Sequence, residues 1–388
     1  MENVWLTSAL WLGLALLASI ISIRVAVSIA LIEIVVGAVA GNIVGLELTE
    51  WVNFLSGFGA ILITFLAGTE IGIRVLRRNL RMSLGIGVTS FAVPYLGCLL
   101  FARYGLGWSW PQAQIAGISL STTSVAVVYA VMIETGFNKT EIGRIILAAC
   151  FVTDLGTVLA LGFVFAHLDI WLALFGAATA GTLALLPRFA PWFFGKVGHR
   201  VSEPETKFVA LVLLGLGGLA TIAGSEAVLP AYLVGMALAP AFLANPELPH
   251  RMRIIAFTIL TPFYFLKAGS LVDVDAVIES AGLILIFLTI KMAAKFLGIL
   301  PLTRAFAFDG REGIYTTLLM STGLTFGTIS ALFGLNNEII DERQYAILVT
   351  AVIGSAVVPT LVAQRWFRPV FKPAVDEGSA VPVPQKEK

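Results

Sequence analysis

Charge is what this sequence has least of. Asp, Glu, Lys and Arg make up 13% of its 388 residues and hydrophobic residues 58%, where a soluble domain averages about 25% charged. With a formal charge of +1, no polybasic block and no glycine-rich phosphate loop, the chain carries no sign of a nucleic-acid or nucleotide partner. Cysteine is nearly missing too: Cys98 and Cys150 both lie inside apolar runs, which does not suggest a disulfide framework. The three histidines, His167, His199 and His250, fall in or near loops and are too scattered for a metal site. Nothing calls for a cofactor. An intramembrane aspartyl protease needs two facing aspartates, and only one stands at mid-span here.

What fills the chain instead is a series of apolar runs of spanning length, about 20 residues each, joined by short polar connections. They predict an all-α polytopic membrane protein of about 13 transmembrane helices, near 4–22, 25–46, 52–73, 82–102, 112–133, 143–166, 169–187, 207–223, 226–243, 254–271, 280–301, 312–334 and 344–364. The first run lacks a basic leader, its first positive charge being Arg24, so it is expected to stay in the mature protein. Basic residues collect on the cytoplasmic side of short loops. With the N-terminus outside and the C-terminus inside, only Arg103 and Arg343 fall in outward loops. Lys267, Lys291 and Lys295 lie within spans, and every other Lys and Arg sorts inward.

Asp154 is the one charge in the run from Ile145 to Ala166. An ionised side chain at mid-bilayer costs roughly 2.5–3.5 kcal/mol on insertion scales, so the default reading is a proton or cation site. A carboxylate set among hydroxyls and unwound carbonyls suits Na⁺ or K⁺. Thr153 beside it either adds a hydroxyl oxygen or bonds back to its own helix. Span five is interrupted at Ser119–Ser124, a stretch that holds Thr123 and Ser124; span twelve is interrupted at Ser321–Thr328, with Thr322, Gly323 and Thr325. The two lie seven spans apart and so cross the membrane in opposite directions, as inverted five-helix repeats require. Matched breaks of this kind point to a transporter site near the midplane. Lys291 and Lys295 share one face of span eleven. Lys295 is too deep to snorkel easily and is expected near Asp154, although sequence does not choose between the two lysines. Glu70 is expected to pair with Arg74 one turn on, and Glu33 to hydrogen bond across helices.

Phe65-Leu66-Ala67-Gly68-Thr69-Glu70, Thr123-Ser124-Val125-Ala126-Val127-Val128, Thr153-Asp154, Lys295-Phe296-Leu297-Gly298 and Gly323-Leu324-Thr325-Phe326-Gly327 together resemble the sodium/proton exchanger superfamily. The closest likeness is to its cation:proton antiporter-2 branch, over about residues 5–368. The resemblance implies a secondary active monovalent cation/proton antiporter, foremost Na⁺/H⁺, working as an elevator in which H⁺ and cation compete for Asp154. It implies a transmembrane domain over 1–370, with a moving core of crossed interrupted helices (about 52–166 and 275–370) and a dimerisation part (about 1–50 and 170–271). A short cytoplasmic tail, 371–388, would follow. The expected assembly is a homodimer in the bilayer of a prokaryotic cell (inner) membrane.

Residue by residue, Asp154 matches the essential carboxylate, and Thr123 and Ser124 the unwound crossing. Lys295 matches a membrane lysine serving proton coupling or ion pairing, and Glu70 an acid close to the ion in some relatives. Two departures stand out. Thr153 occupies a place where many relatives carry Asp or Asn, which bears on ion and stoichiometry, and the regulatory nucleotide-binding domain many carry does not follow the last span. K⁺/H⁺ antiport or K⁺ efflux is the alternative reading. An organic-anion symporter would want basic or amide groups at the breaks, and a channel would leave proton flux uncoupled.

Overall fold

Inside a bilayer the backbone amides of an apolar run find no partner but one another, so helix is the form such runs take. A computed structural model describes residues 3–71, 77–165, 170–198, 200–245 and 247–369, and no strand occurs among them. In order come α1 (Val4–Val25), α2 (Ile29–Val44), α3 (Glu50–Thr69), α4 (Leu80–Leu100), α5 (Trp110–Ser121), α6 (Val125–Thr135), α7 (Glu141–Phe165) and α8 (Ile170–Val197). Then follow α9 (Pro204–Ile222), α10 (Val228–Ala244), α11 (Glu247–Ile255), α12 (Thr261–Ser270), α13 (Val274–Ala305), α14 (Gly310–Leu319), α15 (Thr325–Asn336) and α16 (Glu342–Trp366). Local sequence sets several of the starts. Ser109 with Gln112, Asp309 with Glu312, and Asp341 with Gln344 form reciprocal capping boxes, each satisfying amides that the first helical turn leaves without a partner.

Ten segments among the described residues are long and apolar enough to cross a membrane, counting α4 with its π-turn, α5 with α6, and α11 with α12 as single crossings. Expected spans two, nine and twelve correspond to the shorter helices α2 and α10 and to the interrupted pair α14–α15. The protein is a multi-pass membrane protein. Its outer faces are what lipid demands: Leu16 on α1, Leu185 on α8 and Leu211 on α9 are each more than 60% exposed.

The helices pack in two groups. α1–α3 and α8–α12 form one, with α3 lying along α10 and α2 along α12. α4–α7 and α13–α16 form the other, in which α4 packs on α5, α7 and α13 while α16 closes on α13 and α15. α3 and α10 touch backbone to backbone because Gly68 and Gly235 face each other: a Cβ on Gly235 would run into Phe65 O, and one on Gly68 into Tyr232 O. The groups meet where α2 and α3 touch α6, α10 touches α7, and α16 touches α2. At that seam α2 has no side-chain cap of its own. Its first amides are held from across it: Ser28 N donates to Gln364 Oε1 at 3.0 Å and Ile29 N to Glu134 Oε1 at 3.0 Å, which also accepts Ser28 Oγ at 2.9 Å.

Candidate ion site at the helix crossing

The two interrupted helices cross and bond to each other through their breaks. α5 ends at Ser121 and α6 begins at Val125; Ser124, the residue before α6, accepts Val127 N on its hydroxyl. Its backbone N donates to Thr322 O at 3.1 Å in the second break. Thr123 Oγ1 donates to Met320 O at 2.8 Å, and the hydroxyls of Ser124 and Thr325 lie 3.4 Å apart. Each break thus finds in the other the partners its unwound backbone lost, which is why neither interruption is tolerable alone in an apolar interior. Gly327 lets the helices close up: a Cβ there would stand 2.7 Å from Ser119 O.

Lys295 reaches this crossing from α13, fully buried. Its Nζ donates to Ser90 Oγ at 2.7 Å, Ser121 O at 2.9 Å and Thr123 Oγ1 at 3.0 Å. Three donors meet three acceptors, one of them a carbonyl at the C-terminal end of α5, where positive charge is favoured. Lys291, one turn earlier and equally buried, donates to Ser355 Oγ at 2.7 Å beside Gly323 of the second break. Lys295 thus bonds at the first break and Lys291 beside the second, and of the two it is Lys295 that lies within electrostatic reach of Asp154.

Asp154 projects from α7 with 4% of its surface exposed, and its Oδ1 is buried without a hydrogen-bond partner. Lys295 and Asp154 lie within electrostatic reach, yet no ion pair joins them among the described residues. Thr153 donates its hydroxyl to Ala149 O at 2.9 Å and, more weakly, toward Gly87 O at 3.4 Å. Thr322 bonds back to Leu319 O at 2.9 Å. Thr325 is met from the other packing group: Tyr264 of α12 places its hydroxyl 2.5 Å from Thr325 Oγ1. Tyr232 of α10 donates to Leu147 O at 3.2 Å and stacks on Phe151.

The structure joins Thr123, Ser124, Thr322, Thr325 and Lys295 at one crossing, with Gly323 beside Lys291. Glu70 is engaged elsewhere. It forms an ion pair with Arg253 of α11 and accepts from Tyr129 Oη at 3.4 Å, while Arg253 Nε donates to Tyr129 Oη at 3.2 Å. Arg74, its expected partner, lies outside the described residues, as do His167 and His199. Glu33 is buried within electrostatic reach of Glu134 and makes no hydrogen bond among the described residues, unlike the expectation for it. No group of three His, Cys, Asp or Glu assembles there either. Sequence reading missed Ser90, Tyr264, Tyr232, Ser355 and Arg253. Ser90 and Tyr264 carried the available signal, a polar group inside an apolar run.

The chain matches the sodium/hydrogen exchanger transmembrane family over residues 12–368. It belongs to that family. A probable Na⁺/H⁺ antiporter of Methanocaldococcus jannaschii is 26% identical over 357 residues, covering 88% of this chain and 89% of that protein. The cation/H⁺ antiporter 18 of Arabidopsis thaliana is 24% identical over 81% of this chain, which spans only 41% of that longer protein. A solved sodium proton antiporter of M. jannaschii shares the fold, with a TM-score of 0.67 at 16% identity over 92% of this chain and 94% of the other. Membership agrees with the all-helical, multi-pass architecture of this exchanger-family chain.

Proposed function

We propose that the protein is a secondary active Na⁺/H⁺ antiporter in which proton and cation compete for the Asp154 carboxylate. The observation that carries the reading is Oδ1 of Asp154, buried and unpartnered, within electrostatic reach of Lys295 and Tyr264, which bond to the first and second break. A carboxylate so placed needs either a proton or a cation to be neutral, and both satisfy it equally in charge. Relatives at similar identity are named for Na⁺/H⁺ exchange and, in Enterococcus hirae, for the same activity. Potassium is the second reading, favoured by the likeness to the K⁺/H⁺ antiporter 1 of Saccharomyces cerevisiae, 24% identical.

The proposed moving body is α4–α7 with α13–α16, sliding against α1–α3 and α8–α12. The packing of α3 along α10 and α12 supports placing it with the supporting body, although its place in the sequence had suggested the core. Thr123, Ser124 and Thr325 line the ion's place, Thr153 orients α7 against α4, and Lys295 holds the first break. Glu70 acts through Arg253 and Tyr129 at the seam. A homodimer through the supporting body, the N-terminus outside and the C-terminus cytoplasmic in a prokaryotic inner membrane complete the proposal.

Proteoliposomes holding a pH dye test it. Wild-type protein moves protons when Na⁺ is imposed, less so at acid pH where protons hold the site; Asp154→Asn abolishes the movement. Wild-type rates in Asp154→Asn would exclude this carboxylate as the carrier, and the order of rates with Na⁺, K⁺ and Li⁺ assigns the ion.

A further inference from the structure

The two halves of the chain keep register at a shift of 201 residues. α7 and α16 are both 25 residues long and both begin on glutamate, Glu141 and Glu342. The residue thirteen places on is Asp154 in the first and Ser355 in the second. The same shift carries Thr122 to Gly323, Ser124 to Thr325, and Ser90 on α4 to Lys291 on α13. The equivalent helices also pack alike: α4 on α7, and α13 on α16.

Ser355 thus stands where the ion-carrying aspartate stands in the other half, and it has an occupant. Lys291 Nζ donates to Ser355 Oγ at 2.7 Å. The Ser355 hydroxyl proton is committed to Val352 O at 2.6 Å, so the oxygen turns a lone pair to the ammonium as it would to a metal cation. A Cβ on Gly323 would collide with Nζ and lie 3.0 Å from Ser355 Oγ and 3.2 Å from Thr122 Oγ1. Ammonium, two hydroxyls and a bare glycine therefore share one small niche. A fully buried ammonium without a carboxylate partner is costly, and Lys291 has no ion pair among the described residues.

We propose that the second half of the molecule holds a degenerate copy of the ion site, with Ser355 in place of Asp154 and the Lys291 ammonium as a tethered occupant in place of the transported cation. The proposal rests on the reading of Asp154 as the ion carrier. Its consequence is that each chain binds one cation per cycle: the niche of the second break is filled by a charge that cannot leave, and its field excludes a second ion. Removing the tether and restoring the missing carboxylate should therefore convert the niche into a working cation site.

The test is equilibrium binding of radioactive Na⁺ and K⁺ to the purified full chain, with thermal melting against NaCl, KCl and choline chloride. Wild type binds one cation per chain and Asp154→Asn none. Adding Lys291→Met and Ser355→Asp to Asp154→Asn should restore one bound cation and make the melting temperature climb with Na⁺ or K⁺ but not choline. Ser355→Asp alone, which sets a carboxylate against the ammonium, should raise the melting temperature without adding a bound cation. The proposal falls if the monodisperse triple variant binds neither ion. It also falls if Ser355→Asp lowers the melting temperature, an arm that decides the matter should the triple variant not fold. Wild-type cation binding by Asp154→Asn would overturn the Asp154 reading instead, a separately readable failure.

Discussion

Asp154 and Lys295 sit within reach of one another yet do not pair, and their surroundings differ. Lys295 has each of its three N–H groups on an oxygen, including the carbonyl of Ser121, which supports a holding role for it under the proposed function. Lys295→Met leaves those acceptors buried and unpaired, so it should destabilise the protein by about 2–5 kcal/mol, read as a lower melting temperature in detergent. Glu226 lies in the connection between α9 and α10, before the first residue of α10, and burial pushes its carboxyl up from 4.5 to about 7. Between those values the folded chain holds a proton that the unfolded chain releases. The stability linked to this proton is present below about pH 4.5 and lost as pH rises through about 7. Melting curves of wild type and Glu226→Gln should therefore diverge with rising pH, the variant keeping the stability the wild type loses; parallel curves would show that Glu226 is solvated like any surface acid.

At the scale of the element, glycine decides where helices touch. Gly235 on α10 lies against the carbonyl of Phe65, so Gly235→Ala must push α3 and α10 apart. A loss of about 1–3 kcal/mol is expected, measured by thermal melting and lowered expression in the membrane fraction. Elements of this kind were readable in the sequence because the bilayer leaves so few options: apolar length gives the span, and the Ser-Thr-Gly clusters at 119–124 and 321–328 interrupt helices where they were expected to. That α3 lies along α10 was not readable, because a glycine-to-glycine approach is a property of two faces meeting in space and leaves no mark on either stretch of sequence by itself. The ion pair of Glu70 with Arg253, distant in sequence, was equally unreadable, while Arg74, its expected partner, lies outside the described residues. Thr153, by contrast, makes the helical back-bond that one of its two sequence readings anticipated.

For the whole molecule, the seam is where transport under the proposed sliding must do its work, since Tyr232, Tyr264, Tyr129, Glu134 and Gln364 all bridge it. Glu134→Ala removes the acceptor of Ile29 N and Ser28 Oγ, and should cost about 0.5–2 kcal/mol as the loss of a helix cap does. It should alter the exchange rate in proteoliposomes more than the amount of Na⁺ bound at equilibrium. The borrowed cap has a consequence for observation as well. The amide hydrogens of Ser28 and Ile29 lie in one packing group and their acceptors in the other, so under the proposed sliding each departure of the moving body would hand these two hydrogens to water. Their exchange with deuterium, slow while the groups are docked and fast when they part, would act as a clock on the chain itself, counting how often an unlabelled transporter leaves this station and whether Na⁺ or protons hasten it.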